Sequence, residues 1–276
     1  MNSSQILSIT TFIYGLSACI YIAALIFQKA RPNRLASWVA SIGIVGNIIG
    51  FGMRWIESYQ LGIGHVPLSN LYESLVFFAL AIAVLYLFME HYYDQQAIGA
   101  FAMPLAFLAM AYASLSPDIS DRIQPLLPAL KSNWLIAHVM TCFIGYAAFA
   151  IASGLSLMFM IKPKSDKGHL LSRIPENRVL DSLIHQMVMF GFLFLSAGII
   201  TGAVWANSAW GRYWGWDPKE TWSLITWLIY AALLHLRFMR GWRGKRVAVF
   251  SMLGFAAVLF TYFGVNLLPG LHSYGS

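Results

Sequence analysis

Eight stretches of about 20 mostly apolar residues recur along this chain, each long enough to cross a membrane as a helix. They fall at residues 6–27, 35–56, 71–90, 97–115, 133–161, 183–204, 220–239 and 246–267. The chain is 59% apolar and 11% charged, against about 25% charged in a soluble domain. The expectation is an all-α polytopic membrane protein of about eight transmembrane helices, a single integral-membrane domain over 1–276. The fifth run exceeds the thickness of a bilayer, so it tilts or protrudes. The N-terminus lacks the basic region and small-residue cleavage site of a removed signal, so the first run reads as a retained helix. Cys19 and Cys142 both lie inside apolar runs and form no CxxC pair, which argues against a redox motif or a zinc site.

Lysine and arginine orient such a chain. The connection after the first run carries Lys29, Arg31 and Arg34. The one after the fifth carries Lys162, Lys164, Lys167, Arg173 and Arg178. The one joining the seventh and eighth carries Arg237, Arg240, Arg243, Lys245 and Arg246. With eight spans all three fall on one side, which puts 13 of the 18 basic residues in the cytoplasm and both termini outside. The net charge of +7 is thus a topology signal rather than a nucleic-acid patch. The outer side receives the loop Tyr59 to Asn70, the proline-rich segment Ser116 to Ser132, which reads as partly a short helix lying on the membrane, a tryptophan-rich segment between helices 6 and 7, and the tail Leu268 to Ser276.

That tryptophan-rich segment holds Trp205, Trp210, Trp214, Trp216, Trp222 and Trp227, six of the ten tryptophans of the chain. Indole settles at a membrane–water boundary, so an aromatic belt is the plain reading. A flat aromatic shelf for a flat apolar ligand is the sharper one. Within it, Asp217 can cap the next helix, Pro218 suits its first turn, and Glu220 lies in the favourable field there. This explains Asp-Pro-x-Glu but not the tryptophans around it.

Seven histidines are present. His138, near the outer end of the fifth run, His272, just past the eighth, and His65, in the first outer loop, share the face of the shelf. His235 lies deep in the seventh run. His91, His169 and His185 fall toward the inner side, where a structural role is the simpler reading. An ionisable residue inside a span is a functional candidate by default. Two neutral imidazoles on opposite faces of a planar macrocycle give an iron atom its axial ligands, which is a use for His138 and His272 together. Porphyrin propionates need cations, and Arg54 and Arg212 are the best placed outside. Arg54 reads equally as an interfacial residue snorkelling to the boundary.

The stretch WGRYWGWDPKETWSLITWLIYAALLH at 210–235 resembles the tryptophan-rich WWD signature of cytochrome c biogenesis membrane proteins. WDPKETW followed by a span ending in Leu-His is most similar to the CcsA (ResC) type of the system II cytochrome c synthase. GHVPLSNLYESLVFF at 64–78 resembles a segment of the same type. The resemblance implies that His138 and His272 are the outer haem-ligating pair and that 205–222 is a haem-docking surface, with Trp205, Trp210, Trp214, Trp216, Asp217 and Trp222 in it. It implies that His235 serves an internal haem site whose second ligand comes from a CcsB (ResB)-like membrane partner. The implied cofactor is haem b, carried as substrate. The implied partners are that protein, apocytochrome c and thiol-reducing thioredoxin-like proteins, with no nucleic acid. The implied location is the bacterial inner membrane, or a thylakoid membrane.

The mechanism expected from this resemblance relays haem from the His235 site to the outer site, where thiols of an apocytochrome CxxCH segment add to the vinyl groups. No cysteine of this chain acts as a nucleophile, and positioning supplies the catalysis. Three other readings compete: a system I loader that passes haem to a chaperone, a transporter of another apolar ligand, and a membrane scaffold.

Overall fold

A computed structural model describes residues 2–27, 30–162 and 173–268 of the 276-residue chain. Among them are eight long helices and no strand: α1 Ser3–Phe27, α2 Ala30–Gln60, α3 Leu71–Tyr93, α4 Gly99–Leu115, α5 Asn133–Ile161, α6 Asn177–Trp210, α7 Pro218–Arg240 and α8 Lys245–Tyr262. All eight contain windows long and apolar enough to cross a membrane. Short 3-10 turns lie at Gln96–Ile98, Pro128–Leu130 and Gly264–Leu267. The membrane-lying helix expected in 116–132 is reduced to the single turn at Pro128–Leu130, because three prolines leave too few N–H donors there for more. His169 and His272 lie outside the described residues.

Two compact units emerge, residues 1–127 with 161–176, and residues 128–160 with 177–276. The first is built on α1 to α4. Gly43 and Gly50 bring α2 tightly onto α1, since a Cβ at either would stand 2.6–2.7 Å from Tyr14 or Leu7. Close approach through small residues is the usual way membrane helices gain packing contact where lipid is as apolar as their side chains.

Polar groups inside this unit gather at its two ends. At one end, Arg54 donates to Glu73 at 2.8 Å and to the Asp121 carbonyl at 2.7 Å, and its guanidinium lies 4.9 Å from the centre of the Tyr72 ring. Glu73 also accepts from the Ser69 N–H and hydroxyl, and Asn70 caps α3 by accepting from Glu73 N–H. His65 is buried beside them, its Nδ1 at 2.9 Å from the Val66 carbonyl and its Nε2 at 3.2 Å from that of Gln124. At the other end the Glu90 carboxylate takes hydroxyl donors from Ser37, Tyr21 and Tyr86.

The second unit is built on α5 to α8. A Cβ on Gly145 would stand 3.0 Å from the Gly191 carbonyl, so α5 and α6 meet almost backbone to backbone. Tyr230 of α7 stacks on Phe149 of α5 with centroids 3.6 Å apart, and Thr226 of α7 bonds Thr261 of α8 at 3.0 Å. At one end Asp181 of α6 accepts from Arg237 of α7 at 2.8 and 3.1 Å and from the Gly244 N–H at 2.6 Å, so one carboxylate ties the starts of α6 and α8 to the end of α7. The opposite end of this unit carries the candidate site.

Candidate functional site

His138 sits in the second turn of α5, half-buried, and three features of α6 hold it. Its Nδ1 lies 2.8 Å from the Gly198 carbonyl oxygen. A carbonyl can only accept, so Nδ1 carries the proton and Nε2 keeps the lone pair. That is the tautomer of an imidazole that ligates a metal through Nε2 while a backbone carbonyl orients its other nitrogen. Gly202 makes room for the ring: a Cβ there would stand 2.6 Å from Nδ1. The imidazole is then nearly parallel to the indole of Trp205, with centroids 6.0 Å apart and planes at 13°.

Trp205 is 2% exposed, so it is a wall behind His138 rather than an open shelf. Its Nε1–H donates to the Ala129 carbonyl at 2.9 Å, and its ring meets Trp210 edge-on at 4.9 Å. Both tryptophans belong to α6, which runs six residues past its expected end at 204. The helix stops where Gly211 turns to φ +73° and its N–H bonds the Asn207 carbonyl.

The loop from Gly211 to Asp217 is therefore short, and one carboxylate organises it. Glu220 Oε2 accepts from the N–H of Gly215 at 2.7 Å and of Asp217 at 3.2 Å. Asp217 returns the favour by accepting from Lys219 N–H at 2.9 Å, which completes a capping box with Pro218 at the start of α7. Between the two clamped N–H groups sits Trp216, at φ +57° and 69% exposed. A bulky residue in the left-handed region costs about 1–2 kcal/mol and persists only where its surroundings over-determine it. Here Glu220 supplies that constraint and turns an indole outward.

Trp214 meets Trp216 edge-on at 5.7 Å. Arg212 is exposed, and its guanidinium folds back over Gly215, where a Cβ would stand 2.8 Å from its Cζ. Trp222, one turn into α7, packs against Phe260 of α8 with centroids 4.2 Å apart. His138, Trp205, Trp210, Arg212, Trp214, Trp216, Asp217 and Trp222 all belong to the second unit. Asp217, 6% exposed, serves as a helix cap there.

Two further candidates remain: Arg54, which belongs to the first unit, and His235, expected at a separate inner site, which belongs to the second. Arg54 is 2% exposed within the first unit and is committed to Glu73 and Asp121, leaving Nη2 as its one nitrogen without a partner. That is not the exposed, snorkelling position that was the alternative for it. His235 lies 17 residues beyond the start of α7, exposed and without a partner among the described residues. Gly202 and Glu220 are the residues that composition and motif did not single out as site-builders. Gly202 has no sequence signal, whereas the Asp217–Glu220 spacing announced a cap and only the fold shows the cap also clamping Trp216.

Comparison with known proteins came to one family. The family described as Cytochrome C assembly protein matches residues 68–272. A protein named cytochrome c biogenesis protein CcsA from Chlamydomonas reinhardtii is 45% identical over 228 residues, covering 81% of this chain and 63% of that one. One of the same name from Parasynechococcus marenigrum (strain WH8102) is 42% identical over 293 residues, covering 92% and 94%. Another from Synechococcus sp. (strain CC9902) is 40% identical over 277 residues, covering 90% and 88%. Among solved structures, the cytochrome c haem lyase CcmF superposes with a TM-score of 0.74 at 17% identity, over 95% of this chain and 47% of that chain, a likeness of fold.

Proposed function

The chain belongs to the cytochrome c assembly protein family, and from that premise we propose that it is the haem-handling subunit of a cytochrome c synthase, the CcsA type of system II. In this reading haem b is the substrate, and an inner site at His235 passes it to an outer site. At the outer site His138 and His272 hold the iron while the loop carrying Trp214 and Trp216 braces the macrocycle. Apocytochrome c is the second substrate. Each thiol of its CxxCH segment adds across a vinyl group, forming a C–S bond while the proton goes to the other vinyl carbon, so no oxidant is consumed. A ResB-like membrane protein is the partner, and the complex works in a bacterial inner membrane or a thylakoid membrane.

The observation that carries this reading is His138 itself. Its Nδ1–H is held by the Gly198 carbonyl, so the ring offers Nε2 in a fixed plane against Trp205. A metal-ligating histidine is characteristically held in this way, with its other ring N–H donated to a backbone carbonyl. The chain's own contribution to the reaction is orientation. Reacting groups held in alignment gain the rate advantage of an intramolecular reaction, worth up to about 7–11 kcal/mol of barrier.

The test is the absorption spectrum of the purified protein. The wild type is expected to carry haem with a low-spin bis-imidazole spectrum. His138→Ala is expected to lose that signal from the outer site and to regain it with added imidazole. Full low-spin haem at the outer site in His138→Ala overturns the assignment.

A further inference from the structure

The segment 116–132 has little helical structure of its own, and side chains hold it by its carbonyl groups. In the first unit Arg54 donates to the Asp121 carbonyl at 2.7 Å, and His65 Nε2 lies 3.2 Å from the Gln124 carbonyl. Five residues on, in the second unit, the Ala129 carbonyl accepts from Trp205 at 2.9 Å. A guanidinium and an indole N–H donate at any physiological pH. His65 is the one of the three whose capacity to donate changes with a proton.

The loop fixes that imidazole firmly. The chain leaves α2 by folding back on itself, with the N–H groups of Ile63 and Gly64 both on the Ser58 carbonyl at 3.0 Å. Gly62 and Gly64 make the turn at φ +72° and +66°, in the left-handed region that glycine enters freely. The His65 N–H then donates to Ser58 Oγ at 3.0 Å, and the residue is buried. Its ring nitrogens both point at carbonyl oxygens: Nδ1 at that of Val66, 2.9 Å away, and Nε2 at that of Gln124. Carbonyls only accept, and a neutral imidazole has a single N–H. Only the imidazolium satisfies both. In the neutral ring the shorter, local bond to Val66 keeps the proton, and a lone pair is left against the Gln124 oxygen.

The charged side chains on the surrounding elements are Arg54 and Glu57 near the end of α2, Glu73 at the start of α3, and Asp118, Asp121 and Arg122 of the segment itself. Residues 2–5 at the start of α1 carry none. Glu73 is spent on Arg54 and Ser69, and Glu57 on Ser3. Among the described residues none of these groups bonds the ring, so the two carbonyls decide which form of it fits.

We propose that His65 is a proton-operated latch on the segment 116–132. The imidazolium closes on the Gln124 carbonyl, and the neutral ring lets it go. The sign follows from the bonding: the charged form makes one bond more, so the hold is complete at low pH and is lost as pH rises through the titration of the ring. Arg54 keeps Asp121 throughout, and the stretch between the Asp121 and Ala129 anchors gains freedom when the latch opens. In the proposed orientation this segment lies on the outer side, so the acidity of that compartment sets the latch. The inference holds with or without haem.

The test uses the full chain in detergent. Hydrogen–deuterium exchange of peptides within 118–127 is followed from about pH 5.5 to 8.5, the range in which histidine changes charge, with each rate divided by that of the unstructured peptide at the same pH. Protection in the wild type is expected to fall roughly tenfold as pH rises, the effect of one hydrogen bond to a charged group. His65→Phe, which has no donor, is expected to be weakly protected at every pH. His65→Gln, whose amide donates irrespective of pH, is expected to lose the pH dependence while thermal unfolding shows the fold retained. Wild-type protection that does not change with pH overturns the inference, and so does the wild-type pH dependence persisting in either variant. Nitrogen NMR of the wild-type chain carrying 15N-histidine decides the matter without relying on a variant to fold. Two protonated ring nitrogens at low pH and one at high pH are expected for His65, and a single neutral tautomer throughout overturns the latch.

Discussion

One missing methyl group makes room for the His138 ring. Gly202 lies a single turn before Trp205 on α6, and the imidazole of His138 occupies the space its side chain would fill, 2.6 Å from where a Cβ would stand. The neighbours that would have to yield are the ring and the Gly198 carbonyl it bonds. Gly202→Ala is therefore expected to cost about 1–3 kcal/mol by overpacking and to move the imidazole off its carbonyl. Thermal unfolding would read the first effect, and loss or broadening of the low-spin haem spectrum the second. An Ala variant with the wild-type spectrum would mean that the ring has slack the geometry does not show. His138 drew notice in the sequence as a candidate because a histidine in an apolar run stands out. Gly202 was not, since glycines are frequent in membrane helices and only a neighbour at contact distance gives one meaning.

Between residue and bundle lies the start of α7, where the pattern Asp-Pro-x-Glu was readable as a helix start and proved to be one. Its second use was not readable. Glu220 reaches back past Asp217 to the Gly215 N–H, and that extra bond pins the backbone on both sides of Trp216. Glu220→Ala is expected to cost about 1–2 kcal/mol through the lost cap. It is also expected to lower cytochrome c assembly further than that loss accounts for, because Trp216 is freed to leave the left-handed region. Glu220→Gln keeps an acceptor oxygen and is expected to recover most of both. Comparing assembly with thermal stability across the two variants checks this, and a loss of assembly that merely follows stability would make Glu220 a cap alone. Helix ends elsewhere slipped for a related reason. The sixth apolar run was expected to end at 204, yet α6 continues to Trp210 because i to i−4 bonding persists until Gly211 permits a turn. Arg54 shows the same limit across a longer range. Sequence marks it as a costly charge near a span, but its partner Glu73 lies on the next helix, and only packing brings the two to 2.8 Å.

For the whole molecule, counting apolar runs recovered all eight helices in order, since length and hydropathy are properties of the chain itself. The division into α1–α4 and α5–α8 was not recoverable that way, because it depends on which faces meet. The second unit makes the orientation argument sharp. Its Trp216 loop and the turn after α7 cap opposite ends of a 23-residue helix, about 34 Å long at 1.5 Å per residue and so longer than the roughly 30 Å hydrocarbon core. One end must therefore face each side. The turn holds Arg243 between Arg240 and Lys245, and basic connections stay in the cytoplasm. In the proposed orientation the tryptophan loop faces outward, to the compartment where apocytochrome c is met in this reading. A membrane-impermeant thiol reagent applied to intact cells is accordingly expected to label Tyr213→Cys and to spare Arg243→Cys until the membrane is broken, above a background set by Cys19 and Cys142 within the spans. The reverse pattern would place Trp214 and Trp216 in the cytoplasm, on the side from which haem is supplied. His138 would then be a receiving ligand rather than a presenting one, and the direction of the proposed relay would invert.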